Sequence, residues 1–356
     1  MGLKHLITEK ELFAPSIKIS YLKRIDKVFG KGLHYYLDPK APKEDKESSI
    51  FFRKKKFNTE LNIGARKVVN RFEEFKISLT AIAKLSDLNY SRKIPKFSTN
   101  NNPNQVAISI REILYPDFNR DLKMFLKSLI TKFAGYNILV FEFVEYWNQK
   151  NKANIDGFYL KPNVIVLKRQ QNSFRREIFT LAHELGHFLL EKEEVEELKI
   201  ESLALQNLSV IERWCNDFAY SFLAGEYQDV IDQIETANSS NDYQFDLIET
   251  ISKETHLSQI AIFTRLLLNN KISPSNYSKV KQDFDDLFRT KEKEKTKQKE
   301  LEKKMGIKRR GSVPQPIKSP LLVSTIQTAF YEGVLNEYEV CKSLNIKPDK
   351  LVSYLE

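Results

Sequence analysis

The sequence predicts an α+β fold, mostly helical, with a small sheet beside one central helix. Segments with an apolar residue every three or four positions dominate the 356-residue chain on both sides of its middle. Between them lie two short runs rich in β-branched and aromatic residues, 136–144 (YNILVFEFV) and 163–167 (NVIVL), close enough in sequence to pair. No period of 20–50 residues points instead to a solenoid.

From the N-terminus, Ile17, Tyr21, Ile25 and Val28 share one helical face, with Leu22 and Phe29 beside them and Gly30 as a stop. Residues 39–49 are polar, rich in Lys and Pro, and read as a connector. A helical pattern spans 58–88, with Ile63, Val68, Phe72, Phe75 and Ile77 among its apolar positions. The stretch 96–105 (KFSTNNNPNQ) reads as a boundary. A helix is expected over 117–134, stopped at Gly135, followed by the first strand. Asp156-Gly157 signals a turn, and 163–167 follows as a buried strand.

A helix over 173–190 comes next, then an acidic bend at 191–197 and helices near 200–224, 243–253 and 258–269, the last capped by Ser258. Residues 283–310 are so charged that they read as a solvated helix or as disorder. Pro314, Pro316 and Pro320 set off a small helical unit, 321–356. The expected segments are therefore 1–40, 41–98, 99–280, 281–318 and 319–356.

Composition excludes several classes. No apolar run reaches the roughly 18–20 residues of a membrane span, and the N-terminus lacks the apolar core of a secretion signal, so a cytoplasmic location is expected. Cys215 and Cys341 are the only cysteines, too few and too far apart for a disulfide framework or a cysteine zinc cage. The net charge of +10 invites a nucleic-acid reading, but 289–310 alone holds eleven Lys/Arg against four Glu. The basicity is mostly a property of that linker.

The chemistry concentrates in residues 180–190, Thr-Leu-Ala-His-Glu-Leu-Gly-His-Phe-Leu-Leu. On a helix, residues four apart differ by about 40° and one turn, so His183 and His187 project together and can share one ion. Zinc favours such nitrogen donors, and its catalytic sites hold three protein ligands and keep one open position for water. Glu184 lies about 100° around the helix, placed to act on that water as a base. Gly186 lets another element approach closely. Arg175 and Arg176 stand at the wrong end of the helix for its dipole, which suggests that they pair with acidic neighbours or with substrate.

A third ligand should come from a nearby helix. Glu212, 25 residues after His187 at the head of a helical pattern, is one candidate, and the acidic stretch 191–197 is another. Asn216, one turn beyond Glu212, is placed to hydrogen-bond a ligand from outside.

These pieces resemble the ImmA/IrrE family of metallo-endopeptidases. The resemblance rests on RREIFTLAHELGHFLL at 175–190, ERWCNDFAYSFL at 212–223 and LSQIAIFTRLL at 257–267, and covers about 101–273. It implies a zincin-like core, zinc held by His183, His187 and Glu212, and Glu184 as the catalytic base. The affinity order of divalent ions leaves manganese or iron open. It also implies a protein substrate, a helix-turn-helix repressor of the XRE type, whose cleavage regulates transcription. Longer relatives carry an N-terminal XRE-type domain. Residues 9–37 resemble only its later helices, which argues against DNA binding here.

An extended substrate is expected to pair with an exposed edge strand at 163–167. Tyr159 and Tyr220 are candidates for stabilising the oxyanion. His5, His34 and His256 are isolated, Cys215 reads as core filling, and Trp147 and Trp214 as core residues. The rival reading is a transcription regulator or sensor whose metal domain is not a general protease.

Overall fold

The computed structural model describes residues 8–12, 14–29, 36–37, 61–145, 151–169, 173–193, 208–305 and 316–355. His5, His34, Trp147, the connector at 39–49 and most of the acidic bend lie outside them.

Two short helices open the chain, α1 (Glu9–Leu12) and α2 (Ile19–Phe29). Helix α3 (Ile63–Leu85) starts at Asn62, whose side chain accepts the Ala65 N–H and donates to the Lys152 carbonyl. Ala65, Val69, Phe72, Leu79 and Ala83 form its buried stripe, and the Phe72 ring stacks on Phe141 of the sheet. Ile63 and Ile77, two of the apolar positions read in the sequence, are 49% and 63% exposed.

The 96–105 stretch is packed chain: the Phe97 N–H is donated to the Leu189 carbonyl, and α4 (Pro103–Leu114) begins inside it, capped by Asn102. The sequence reading missed this helix because its start looks like loop composition. Helix α5 (Leu122–Gly135) begins five residues later than expected. Asp121 takes the N–H groups of Lys123 and Met124 and so fixes the first turn there.

Three strands follow, β1 (Leu139–Phe143), β2 (Gly157–Leu160) and β3 (Val164–Lys168), in the spatial order β1-β3-β2. β1 runs parallel to β3 and β2 antiparallel to it. This corrects two expectations. Gly157 opens a strand that was read only as a turn, and 163–167 forms the central strand, not an exposed edge. The sheet is buried on both faces, so β2 and β3 show no polar alternation to mark them. Val140, Tyr159, Ile165 and Leu167 face one core, while Phe141, Phe158, Val164 and Val166 face the other.

On the first face lies α6 (Phe174–Leu190), and α7 (Val210–Ala224) packs against α6. The helix expected from 200 starts at Val210, where Ser209 caps it. Helices α8 (Tyr227–Gln233), α9 (Phe245–Thr255) and α10 (Gln259–Leu268) close this side. Ser258 caps α10 by accepting the Ala261 N–H, as the sequence indicated.

As far as Lys304, the charged run is the outer part of α11 (Pro274–Lys304), exposed from 285 to 301. The C-terminal residues form α12 (Pro320–Tyr331), α13 (Glu337–Leu344) and α14 (Val352–Leu355), packed against α3 and the second face of the sheet. Mostly helical α+β is the observed class. Among the described residues no helix is long and apolar enough to cross a membrane.

Candidate metal centre

Ser173 starts α6 by accepting the Arg176 N–H, which sets the turn on which the histidines fall. His183 and His187 follow four apart, and Glu212 enters from the first turn of α7. The two Nε2 atoms are 3.1 Å apart, and each lies 3.2 Å from an oxygen of the Glu212 carboxylate. All three residues are buried, at 1–2% exposure.

Three donor atoms so close in a dry interior fit a metal ion. Ligands about 2.0–2.1 Å from a tetrahedral zinc stand roughly 3.3–3.4 Å from one another, close to the triangle seen here. Two imidazoles and a carboxylate also match zinc in type. Among the described residues this is the one group of three or more His, Cys, Asp or Glu side chains with such convergence. His183, His187 and Glu212 are the residues that would hold a metal ion.

The electrostatics of the group agree. Burial alone would raise the Glu212 carboxyl, but the His187 and His183 imidazoles against it hold it well below the usual range. Burial disfavours charge on His187, yet the Cys215 thiol and Glu212 outweigh it and raise the imidazole well above its ordinary value. The cluster favours ionised Glu212 beside a cation, a charge balance that a metal ion can take over as protons leave.

The two ligand helices meet at backbone distance. A Cβ on Gly186 would come within 3.1 Å of the Cys215 Sγ and 3.2 Å of its Cα. Gly186→Val should therefore cost about 3 kcal/mol by overpacking, read from urea denaturation. Cys215, with its thiol pushed up to about 11 by burial, serves as a small packing residue.

Glu184, 4% exposed, lies beside the triad under β2. A Cβ on Gly157 would meet the Glu184 Cγ at 3.2 Å and the Thr180 Cγ2 at 2.7 Å, so only glycine lets the strand lie this close. The sequence marked Gly157 as a turn residue, and its contact with Glu184 carried no sequence signal.

Other expected roles fall elsewhere. Asn216 is half-buried and bonds neither histidine: both Nδ1 atoms lack a hydrogen-bond partner among the described residues. Tyr159 donates its hydroxyl to the Pro162 carbonyl at 2.7 Å, and the Tyr220 ring carries the Arg265 guanidinium at 4.8 Å. Tyr159 is thus engaged in the frame, whereas the buried Tyr220 hydroxyl has no hydrogen-bond partner among the described residues. Glu191 pairs with Lys96 at 2.5 Å, and Glu193 accepts the Lys161 N–H, so the described part of the acidic bend does not join the triad. Arg176 pairs with Asp156 at 2.6 Å, and Arg175 donates to the Ser252 carbonyl, which answers the dipole problem at the start of α6.

Two arginines that sequence reasoning passed over hold the far ends of the ligand helices. Arg92 donates to the Phe188 carbonyl at 3.0 Å with its guanidinium over the Phe188 ring, and Arg111 donates to the Phe222 carbonyl. A cation at a helix C-terminus is favourable, and these two close α6 and α7.

His256 is buried between the rings of Phe118 and Phe125, with centroids 4.7 and 4.2 Å away. Burial, then the nearby Arg175 charge, lowers its pKa from 6.5 to about 4. The unfolded chain binds this proton more readily, so stability falls as pH drops from about 6.5 to about 4 and is flat in this term below. His256→Phe should remove that slope from thermal melts taken across the window.

Residues 140–265 match the family model described as the IrrE N-terminal-like domain, peptidase family M78. Neither the curated proteins nor the solved structures compared with the chain give a match.

Proposed function

We propose, from the premise that the chain carries an IrrE-like metallopeptidase domain, that it is a zinc-dependent endopeptidase cutting a peptide bond in a protein substrate. The observation that carries this reading is the buried His183–His187–Glu212 triangle with Glu184 one residue from its first ligand. A bound divalent ion supplies Lewis acidity, which acidifies water and polarises a carbonyl. The chain supplies the rest. Glu184 accepts a proton from the attacking water and returns it to the leaving amine. The buried setting strengthens each charge interaction and limits stray solvent.

The family resemblance supports a repressor of the XRE type as substrate, with cleavage acting on transcription in the cytoplasm. The test incubates purified chain, loaded with zinc, with a co-encoded XRE-type repressor. Defined cleavage that disappears in Glu184→Gln is the expected result. Cleavage that survives this substitution removes the assignment.

A further inference from the structure

We propose that Arg169 is a positioning residue for the metal-bearing helix, fixing where His183, Glu184 and His187 stand relative to the sheet by tying Glu177 of α6 to Glu142 of β1. The proposal rests in part on the peptidase reading. Helix α6 meets the sheet largely through an apolar face, and such contact is non-directional; apart from the Arg176–Asp156 pair at the rim, it holds the helix down without choosing its position along the strands. Ligand geometry does require that choice. Glu177 lies six residues before His183, about 9 Å along a rigid rod, so a constraint on the first turn is felt at the ligands.

Arg169 has what such a constraint needs. Its backbone is fixed to the sheet, since its N–H is donated to the Phe143 carbonyl at 2.8 Å. Its Nη1 donates to Glu177 Oε2, and its Nε stands 3.2 Å from Glu142 Oε1 as a charge contact without hydrogen-bond geometry. The guanidinium also lies 5.1 Å from the centre of the Phe174 ring. All three side chains are buried, at 4% exposure or less. The other oxygen of Glu142 accepts the N–H of Ile317, so the chain leading into α12 is keyed to the same cluster.

Two carboxylates against one guanidinium make a poor stabiliser. Burial, only partly offset by Arg169, pushes Glu142 up to about 8. Buried ionic clusters are often replaceable by neutral groups with little loss of stability. What a neutral replacement cannot supply is a guanidinium hydrogen-bonded to Glu177 on the helix from a residue whose own backbone is hydrogen-bonded to β1.

The test compares the unmodified chain with the neutral triple variant Arg169→Met, Glu142→Gln, Glu177→Gln. The triple should melt within a few degrees of the unmodified chain. Its zinc affinity, from chelator competition on metal-free protein, should fall about tenfold or more, and kcat should fall with KM little changed. Amide exchange across 174–190 should quicken in step. Glu177→Gln alone keeps shape and an acceptor; it should give the same changes at about threefold, and it decides the matter if the triple does not fold. Unchanged zinc affinity together with unchanged exchange in a folded variant overturns the proposal. An unmodified chain that takes up no zinc would instead sink the peptidase reading, while amide exchange, which needs no metal, still judges Arg169.

Discussion

Alanine at Glu212 should leave a folded chain that no longer holds zinc. The carboxylate is one side of a triangle whose edges are 3.1–3.2 Å, and its two oxygens each face a different imidazole. Removing it leaves two ligands on one helix, too few for a catalytic zinc site. Loss of an outer partner of a metal ligand commonly costs 10–100-fold in affinity, so loss of a ligand itself should cost more than about a hundredfold. Metal analysis after dialysis, and chelator competition, measure this directly. A second readout is thermal: saturating zinc at about 100 times Kd stabilises a binding protein by about 2.7 kcal/mol, and that gain should vanish in Glu212→Ala and His187→Ala. Retention of stoichiometric zinc by Glu212→Ala would mean that another group is the third ligand.

Glu184→Gln should show the opposite separation, with zinc kept and hydrolysis lost. Glutamine has nearly the same shape, so the packing of Gly157 over the side chain is preserved. It cannot take up a proton as a carboxylate does. General base catalysis is worth roughly 10²–10⁴ in rate, and kcat should drop by that factor with KM little moved. The contrast is diagnostic, because a variant that merely loosened the fold would lose metal and rate together.

Much of this site was legible in the sequence because a helix converts spacing into geometry. The four-residue step from His183 to His187 fixes two ligands within one element, whatever the tertiary context. Glu212 was less legible: its approach depends on how α7 packs on α6, and residue spacing alone left it in competition with the acidic bend at 191–197. Family resemblance supplied what periodicity did not. The sheet was harder still. β2 has four residues, all buried, and its neighbour β3 is apolar on both faces, so neither shows the alternation that announces a half-exposed strand. Arg92, Arg111 and Arg169 were invisible for a related reason. Each reaches a partner set by tertiary packing, and no local pattern marks an arginine for such work.

The contact between Gly186 and Cys215 would also bear on which ion the proposed site accepts. With no side chain on one helix and a thiol on the other, α6 and α7 are at nearly their minimum separation at this point. Affinity alone does not discriminate among the first-row divalent ions, so discrimination has to come from the size and shape of the donor cage. A bulkier residue at 215 would act as a shim between the helices. It should widen the cage and shift preference from zinc toward larger ions such as manganese or cadmium, leaving every ligand in place.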